Sequence, residues 1–248
     1  MSKADAVKHL QDQIELNQHV VSHFSSASSR VVGMLENLQH WQRERLDATY
    51  DDLRSDPRYR PACEFFLDDL YGGRDVHERD RQLERVVPVM RRFLPGYLLM
   101  AVGDAVRLQA ISHEFDLELA ELLVAAEVDE IDQAVYARVY RDHGEWTKRE
   151  LQLDLIRKLG DLLGETVQKP MVHRLIRLMH GPAVMAGFGA LQDFLRRGLD
   201  AFAEMGSADH FLDTIESRER SALEAIREGS DAPFERWIGA GPRLSVTR

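Results

Sequence analysis

Glu64 and Asp68 stand four residues apart in the run Glu64-Phe65-Phe66-Leu67-Asp68-Asp69-Leu70-Tyr71-Gly72-Gly73. On a helix that spacing places both carboxylates on one face. A little further on, His77, Asp80 and Glu84 repeat the spacing. Two such faces meeting would form an oxygen-rich site with one imidazole, a donor set suited to iron or manganese. The plainer account of the same residues carries more weight. Phe65, Phe66 and Leu70 enter a core, Asp68 and Asp69 cap a helix or pair with arginine, and Asp75 caps the next helix.

A second constellation is the set of small residues Ala183, Ala186, Gly187, Ala190 and Gly198, with Gly189 beside it. Glycine inside a helix costs about 1 kcal/mol against alanine, so its presence points to a close approach. Close packing of another helix is the commoner reason. The sharper one is a flat ligand such as haem lying on Gly187 and Gly189, with His19 or His23 as an axial ligand. Those two histidines are four apart on the first predicted helix and so share a face. His173 and His180 are alternatives.

Other chemistries find less support. A carboxylate-bridged di-iron bundle requires Glu-x-x-His pairs, and none of the 10 histidines has a glutamate three residues before it. There is no His-Glu-x-x-His, phosphate loop or Gly-x-Ser-x-Gly elbow. Cys63 is the single cysteine, which excludes an internal disulfide or a multi-cysteine zinc site. Its setting in Ala62-Cys63-Glu64-Phe65 reads as that of a small buried hydrophobe.

The elements that must carry these residues are helical almost throughout. Apolar residues recur every three or four positions at Leu108, Ile111, Phe115, Leu119 and Leu122, again at Leu155, Leu159 and Leu162, and again at Phe211, Ile215, Ala222 and Ile226. No run of alternating β-branched residues appears. Punctuation by proline and glycine predicts helices over 4–25, 29–54, 61–71, 75–94, 97–126, 129–143, 145–168, 170–180, 182–205 and 207–228. Asp129 and Ser207 are the expected N-caps, and Pro88 is expected to kink its helix. After Gly229 the periodicity is lost, although Phe234, Trp237 and Ile238 are suited to anchoring a tail. The expected fold is all-α, a single bundle-like domain of about eight to ten helices. Its expected parts are an N-terminal hairpin over 1–60 that completes the bundle or makes a dimer, a helical core over 61–228, and a docked tail over 229–248.

Three stretches also resemble a family of bacterial all-helical proteins that carry a Phe-Phe-Leu-x-Asp-Leu-Tyr-Gly motif. They are Phe65 to Gly72 with Arg79-Asp80 and Pro88, then Pro182-Ala183 with Gly187 to Leu195 and Gly198, then Phe211 to Ile215 with Arg218-Glu219. The resemblance covers roughly residues 60 to 228. It implies an all-helical fold and a bacterial origin, and it implies no activity.

Composition bounds the partners. The 248 residues are 44% hydrophobic, too apolar for disorder, and the formal net charge of −10 opposes general binding to nucleic acid or anionic membranes. Arg91-Arg92 and Arg196-Arg197 lie among abundant acids and read as solvated, paired faces. Every apolar run is broken by charge, so no membrane span is expected. The opening MSKADAVKHLQDQIELNQH lacks the apolar core of a secretory signal, so the expected compartment is the cytoplasm. The function expected from all this is a non-enzymatic cytoplasmic helical module that binds a partner protein or an apolar small ligand as a homodimer. The alternative is a haem- or metal-dependent enzyme of haem-oxygenase-like fold, using His19, His23, Glu64, Asp68, His77 and Asp80 beside Gly187 and Gly189.

Overall fold

A computed structural model describes residues 2–67, 87, 88, 90–92, 94–169, 172, 187 and 189–245. The chain is all-α, as its periodicity requires. It forms two compact units, each drawn from three stretches of sequence. Unit one comprises Met1–Ile14, Asp52–Ala105 and Arg157–Leu212, and unit two comprises Glu15–Asp51, Val106–Ile156 and Asp213–Arg248.

Helix α1 (Lys3–Ser25) contributes residues to both units. It buries only a narrow stripe that includes Ala6, Leu10, Asn17 and Val20, the spacing of one helix face. Helix α2 (Ser29–Thr49) starts where Ser28, in extended geometry, accepts the Val31 amide at 3.3 Å. Its buried face is Met34, Leu35, Leu38, Trp41, Gln42, Arg45, Leu46 and Thr49. The sequence predicts this helix to residue 54, but it stops at Thr49 and a short α3 (Asp51–Ser55) follows. The reason is tertiary. The Thr49 carbonyl is taken by the Arg218 guanidinium at 2.6 Å, and Tyr50 closes the helix by bonding the Leu46 carbonyl.

In unit one, α4 (Arg60–Phe65) opens with Pro61 in its first turn, where the missing amide costs nothing. It packs on α8 (Gly189–Met205). Phe65 meets Phe194 with ring centres 5.2 Å apart, and Phe66 meets Phe202 and Phe211 at 6.2 and 5.8 Å. Gly198 faces Phe65 so closely that a Cβ there would lie 2.8 Å from the ring. The Phe-Phe pair of the sequence motif is therefore core, and Gly198 serves helix packing. Cys63, on α4 as well, is buried. Gly206, at φ +75, ends α8.

In unit two the core gathers α2, the second half of α5 (Gly96–Ala125), α6 (Gln133–His143) and the later part of α9 (Asp209–Arg227). Trp41 stacks on Tyr136 at 4.6 Å, and Phe234 lies 6.3 Å from the same indole. Helix α7 (Trp146–Val167) follows α6 through Gly144 and Glu145, both at positive φ. Sequence reading starts α6 at Asp129. The observed N-cap is Asp132, which accepts the Val135 amide at 2.9 Å. The three residues are lost because Glu130–Ile131 form β1, which pairs antiparallel with β2 (Leu244–Ser245), Glu130 opposite Ser245 and Ile131 opposite Leu244. Ser207 accepts the Asp209 amide at 3.4 Å, one position before the helix flank expected of a cap. A last short helix, α10 (Glu235–Ile238), carries the tail across unit two. The kink expected at Pro88 involves neighbours outside the described residues.

Candidate functional site

Of the residues first suspected of chemistry, the structure describes Glu64, His19, His23, Gly187 and Gly189. Glu64 is exposed on α4, while Asp68, His77 and Asp80 lie outside the described residues. His19 and His23 are exposed on α1, and His23 Nε2 stands 3.8 Å from Glu121 Oε1 on α5. Those histidines belong to unit two, whereas Gly187 and Gly189 belong to unit one. Gly187 is not inside a helix, as its sequence neighbours suggest. It is an exposed turn residue at φ +80, and Gly189 is the first residue of α8. A left-handed turn explains glycine at 187 without any flat ligand. Among the described residues, no three histidine, cysteine or carboxylate groups are placed to hold a metal ion.

The polar residues that folding does bring together are others. In unit one, Asp104 of α5 is 4% exposed. Its Oδ1 lies 3.0 Å from His9 Nε2 and its Oδ2 accepts from Lys158 Nζ at 2.6 Å. The adjacent Gly103 makes room for this, because a Cβ there would come within 2.5 Å of the imidazole.

In unit two, Arg45 of α2 is 6% exposed and donates to Glu219 Oε1 at 2.6 Å. Tyr50 donates its hydroxyl to the same oxygen at 2.7 Å. Burial by itself disfavours the Arg45 charge, but Glu219, assisted by Tyr136 and Tyr50, more than reverses this and holds the guanidinium firmly protonated. The Arg45 guanidinium also lies 4.4 Å over the Phe234 ring. Burial, with Tyr140 adding to it, pushes the Tyr136 phenol up.

A second buried guanidinium, Arg149, is 2% exposed and sits 3.4 Å from the Tyr140 ring centre and 4.3 Å from that of Phe115. It donates to the Gly144 carbonyl at 3.0 Å and meets His143 Nδ1 at 3.0 Å. Arginine can only donate, so Nδ1 accepts and Nε2–H is left to donate to Glu118, 2.7 Å away. Both imidazole nitrogens are thereby used. Asp116, two residues before Glu118 on α5, accepts from Gln42 at 3.0 Å and Gln39 at 3.2 Å. Burial raises its carboxyl, and the two amides, His113 and Arg149 oppose that only in part.

Sequence reasoning did not single out Asp104, Asp116, Arg45 or Arg149. A signal for two of them was present. Asp104 falls four residues before Leu108, and Asp116 four before the buried Ala120, so each carboxylate occupies the inner face of an apolar helix. What the arrangement does chemically is bind itself together. Every oxygen of Asp104, both nitrogens of His143 and the charge of Arg45 are engaged by groups of the same unit.

The fold and these centres define an all-α protein whose inward-facing ionic residues are matched to one another. The chain belongs to the family described as a domain of unknown function (DUF8198), whose model matches residues 22–233. That match takes in α2, which lies ahead of the stretches bearing the sequence resemblance. No curated protein and no solved structure shows significant similarity to it. No helix among the described residues is long and apolar enough to cross a membrane.

Proposed function

We propose that this protein is a non-enzymatic helical module that binds a partner protein in the bacterial cytoplasm and works as a homodimer through its N-terminal hairpin. The observation that carries this reading is the internal matching of the buried ionic groups. Asp104, Arg45, Arg149 and His143 have the residue types of a catalytic centre, yet Asp104 is taken by His9 and Lys158, Arg45 by Glu219, Arg149 by His143 and the Gly144 carbonyl, and His143 by Glu118 as well. Catalysis needs a group with reach to a substrate. These groups instead fix the faces of the helices that hold them, which is what a binding module requires.

The test combines two measurements on freshly purified full-length protein. An absorption spectrum with metal analysis is expected to show no Soret band and no stoichiometric iron or manganese. Either signal would overturn the reading in favour of a haem- or metal-dependent enzyme, and would direct ligand substitutions to His19, His23 and His77. In-cell crosslinking followed by reconstitution with the purified crosslinked protein is expected to yield a complex of defined stoichiometry. An apolar small molecule retained instead of a protein would change the partner's class and leave the non-enzymatic reading standing.

A further inference from the structure

His9 of α1, Asp104 of α5 and Lys158 of α7 meet within unit one. The imidazole lies on the bare backbone of Gly103, where a Cβ would come 2.5 Å from Cδ2 and 2.9 Å from Nε2. Nε2 stands 3.0 Å from Asp104 Oδ1. An ionised carboxylate only accepts, so Nε2 carries the proton and Nδ1 keeps a lone pair. Nδ1 is on the ring edge opposite the one that α5 covers, and the side chain retains 21% exposure. Among the described residues, the bond to Asp104 is the one hydrogen bond the ring makes. His143 differs, since Arg149 and Glu118 use both its nitrogens.

This is the setting of a nucleophilic imidazole. A carboxylate on one nitrogen fixes the ring and balances the positive charge it gains when the other nitrogen bonds an electrophile. Asp104 is 4% exposed, so solvent screens that attraction little. Its second oxygen, Oδ2, accepts from Lys158 Nζ at 2.6 Å, and the Lys158 side chain is 65% exposed. Imidazole and ammonium therefore share one carboxylate, which sets a solvent-reaching cation beside the open nitrogen. Such a pair suits an anionic electrophile. A phosphoryl group meets both demands, offering phosphorus to the nitrogen and charged oxygens to the ammonium. The acids on neighbouring turns of α1 are already engaged. Asp5 accepts the Ser2 amide at 2.8 Å, and Asp12 pairs with Lys8 at 2.7 Å.

We infer that His9 is a phosphoacceptor, modified at Nδ1 by a phosphoramidate donor, the chemical class to which another phosphohistidine belongs. The Nδ1 lone pair attacks phosphorus while the donor's P–N bond breaks, and the protonated donor nitrogen leaves as a neutral base with the electrons of that bond. One P–N bond replaces another. Nε2 keeps its proton, Asp104 balances the imidazolium as a positioning residue, and Lys158 turns to the phosphoryl oxygens. The site goes beyond the partner-binding reading and does not rest on it.

Phosphoramidate itself is the probe. Full-length protein is incubated with it, and phosphorylation is followed site by site by mass spectrometry, with phosphorus NMR to tell Nδ1 from Nε2. His9 is expected to react about tenfold or more faster than the exposed His19 and His23, which serve as references on the same helix. Asp104→Asn keeps an acceptor for Nε2 and removes the charge, so His9 is expected to fall to the reference rate with the circular dichroism unchanged. Lys158→Gln alters an exposed side chain and is expected to slow His9 about tenfold without changing His19 or His23. A His9 rate no greater than that of His19 and His23 overturns the proposal, and so does phosphorylation at Nε2. An unchanged His9 rate in Lys158→Gln overturns it as well, and that variant decides the matter if Asp104→Asn fails to fold.

Discussion

Arg45 and Glu219 show why the buried ionic residues are costly to disturb singly. Removing one partner leaves the other charged, buried and unmatched, a loss of about 3–5 kcal/mol. Glu219→Ala is therefore expected to lower stability by that order in urea denaturation, and it also strips the Tyr50 hydroxyl of its acceptor. Arg45→Met combined with Glu219→Leu is expected to recover most of the loss, because apolar side chains of similar size leave no charge behind. A double variant as unstable as the single would sink this account. Asp116 makes a different prediction. Its folded carboxyl titrates above the ordinary aspartate value of about 3.9, so the folded state holds the proton more tightly than the unfolded chain. The stability this group contributes is full below the unfolded value and is lost as pH rises through the folded one. Asp116→Asn removes that slope, and Gln39 and Gln42 can turn their amides to meet the new side chain. Denaturation midpoints of the variant are expected to gain on wild type as pH rises from the aspartate range toward neutrality. Parallel curves would contradict it.

At the scale of elements, two helix glycines separate packing from propensity. At Gly198 a Cβ would strike the Phe65 ring, so Gly198→Ala is expected to destabilise by about 1–3 kcal/mol through overpacking. At Gly33, inside α2, a Cβ would meet nothing within 4 Å. There alanine gains helix propensity alone, and Gly33→Ala is expected to stabilise by up to about 1 kcal/mol. Thermal melts of both variants decide the matter, and a shift of the same sign in both would refute the distinction. The sequence made the small residues near 187–198 visible without separating their uses. Gly187 serves a left-handed turn and Gly198 a close crossing, and only the backbone angle and the neighbouring ring tell them apart. Helix boundaries followed the same rule. The extent of α5 was legible to within a residue because Pro95 and the apolar stripe mark it locally, whereas the end of α2 depends on Arg218, far along the chain.

For the whole molecule, net charge and pairing govern behaviour in solution. A formal charge of −10 spread among many internal ion pairs is expected to keep the protein off duplex DNA at physiological salt. Salt-sensitive retention on DNA would contradict that. Light scattering after size exclusion is expected to give twice the mass of the chain if the N-terminal hairpin joins two copies, and a monomer mass would remove the homodimer from the proposed function. What the sequence by itself determined is the all-α class, the helical span of most elements and the inward placement of Phe65, Phe66, Phe211 and Cys63. Those follow from periodicity and side-chain hydrophobicity, which are local quantities. Tertiary structure alone decided which polar groups meet: His9 with Asp104 and Lys158, Arg45 with Glu219, Gln133 with the tail backbone. Such partners lie 54 to 174 residues apart in the chain. No local pattern carries their pairing, because it is set by helix faces that come together only on folding.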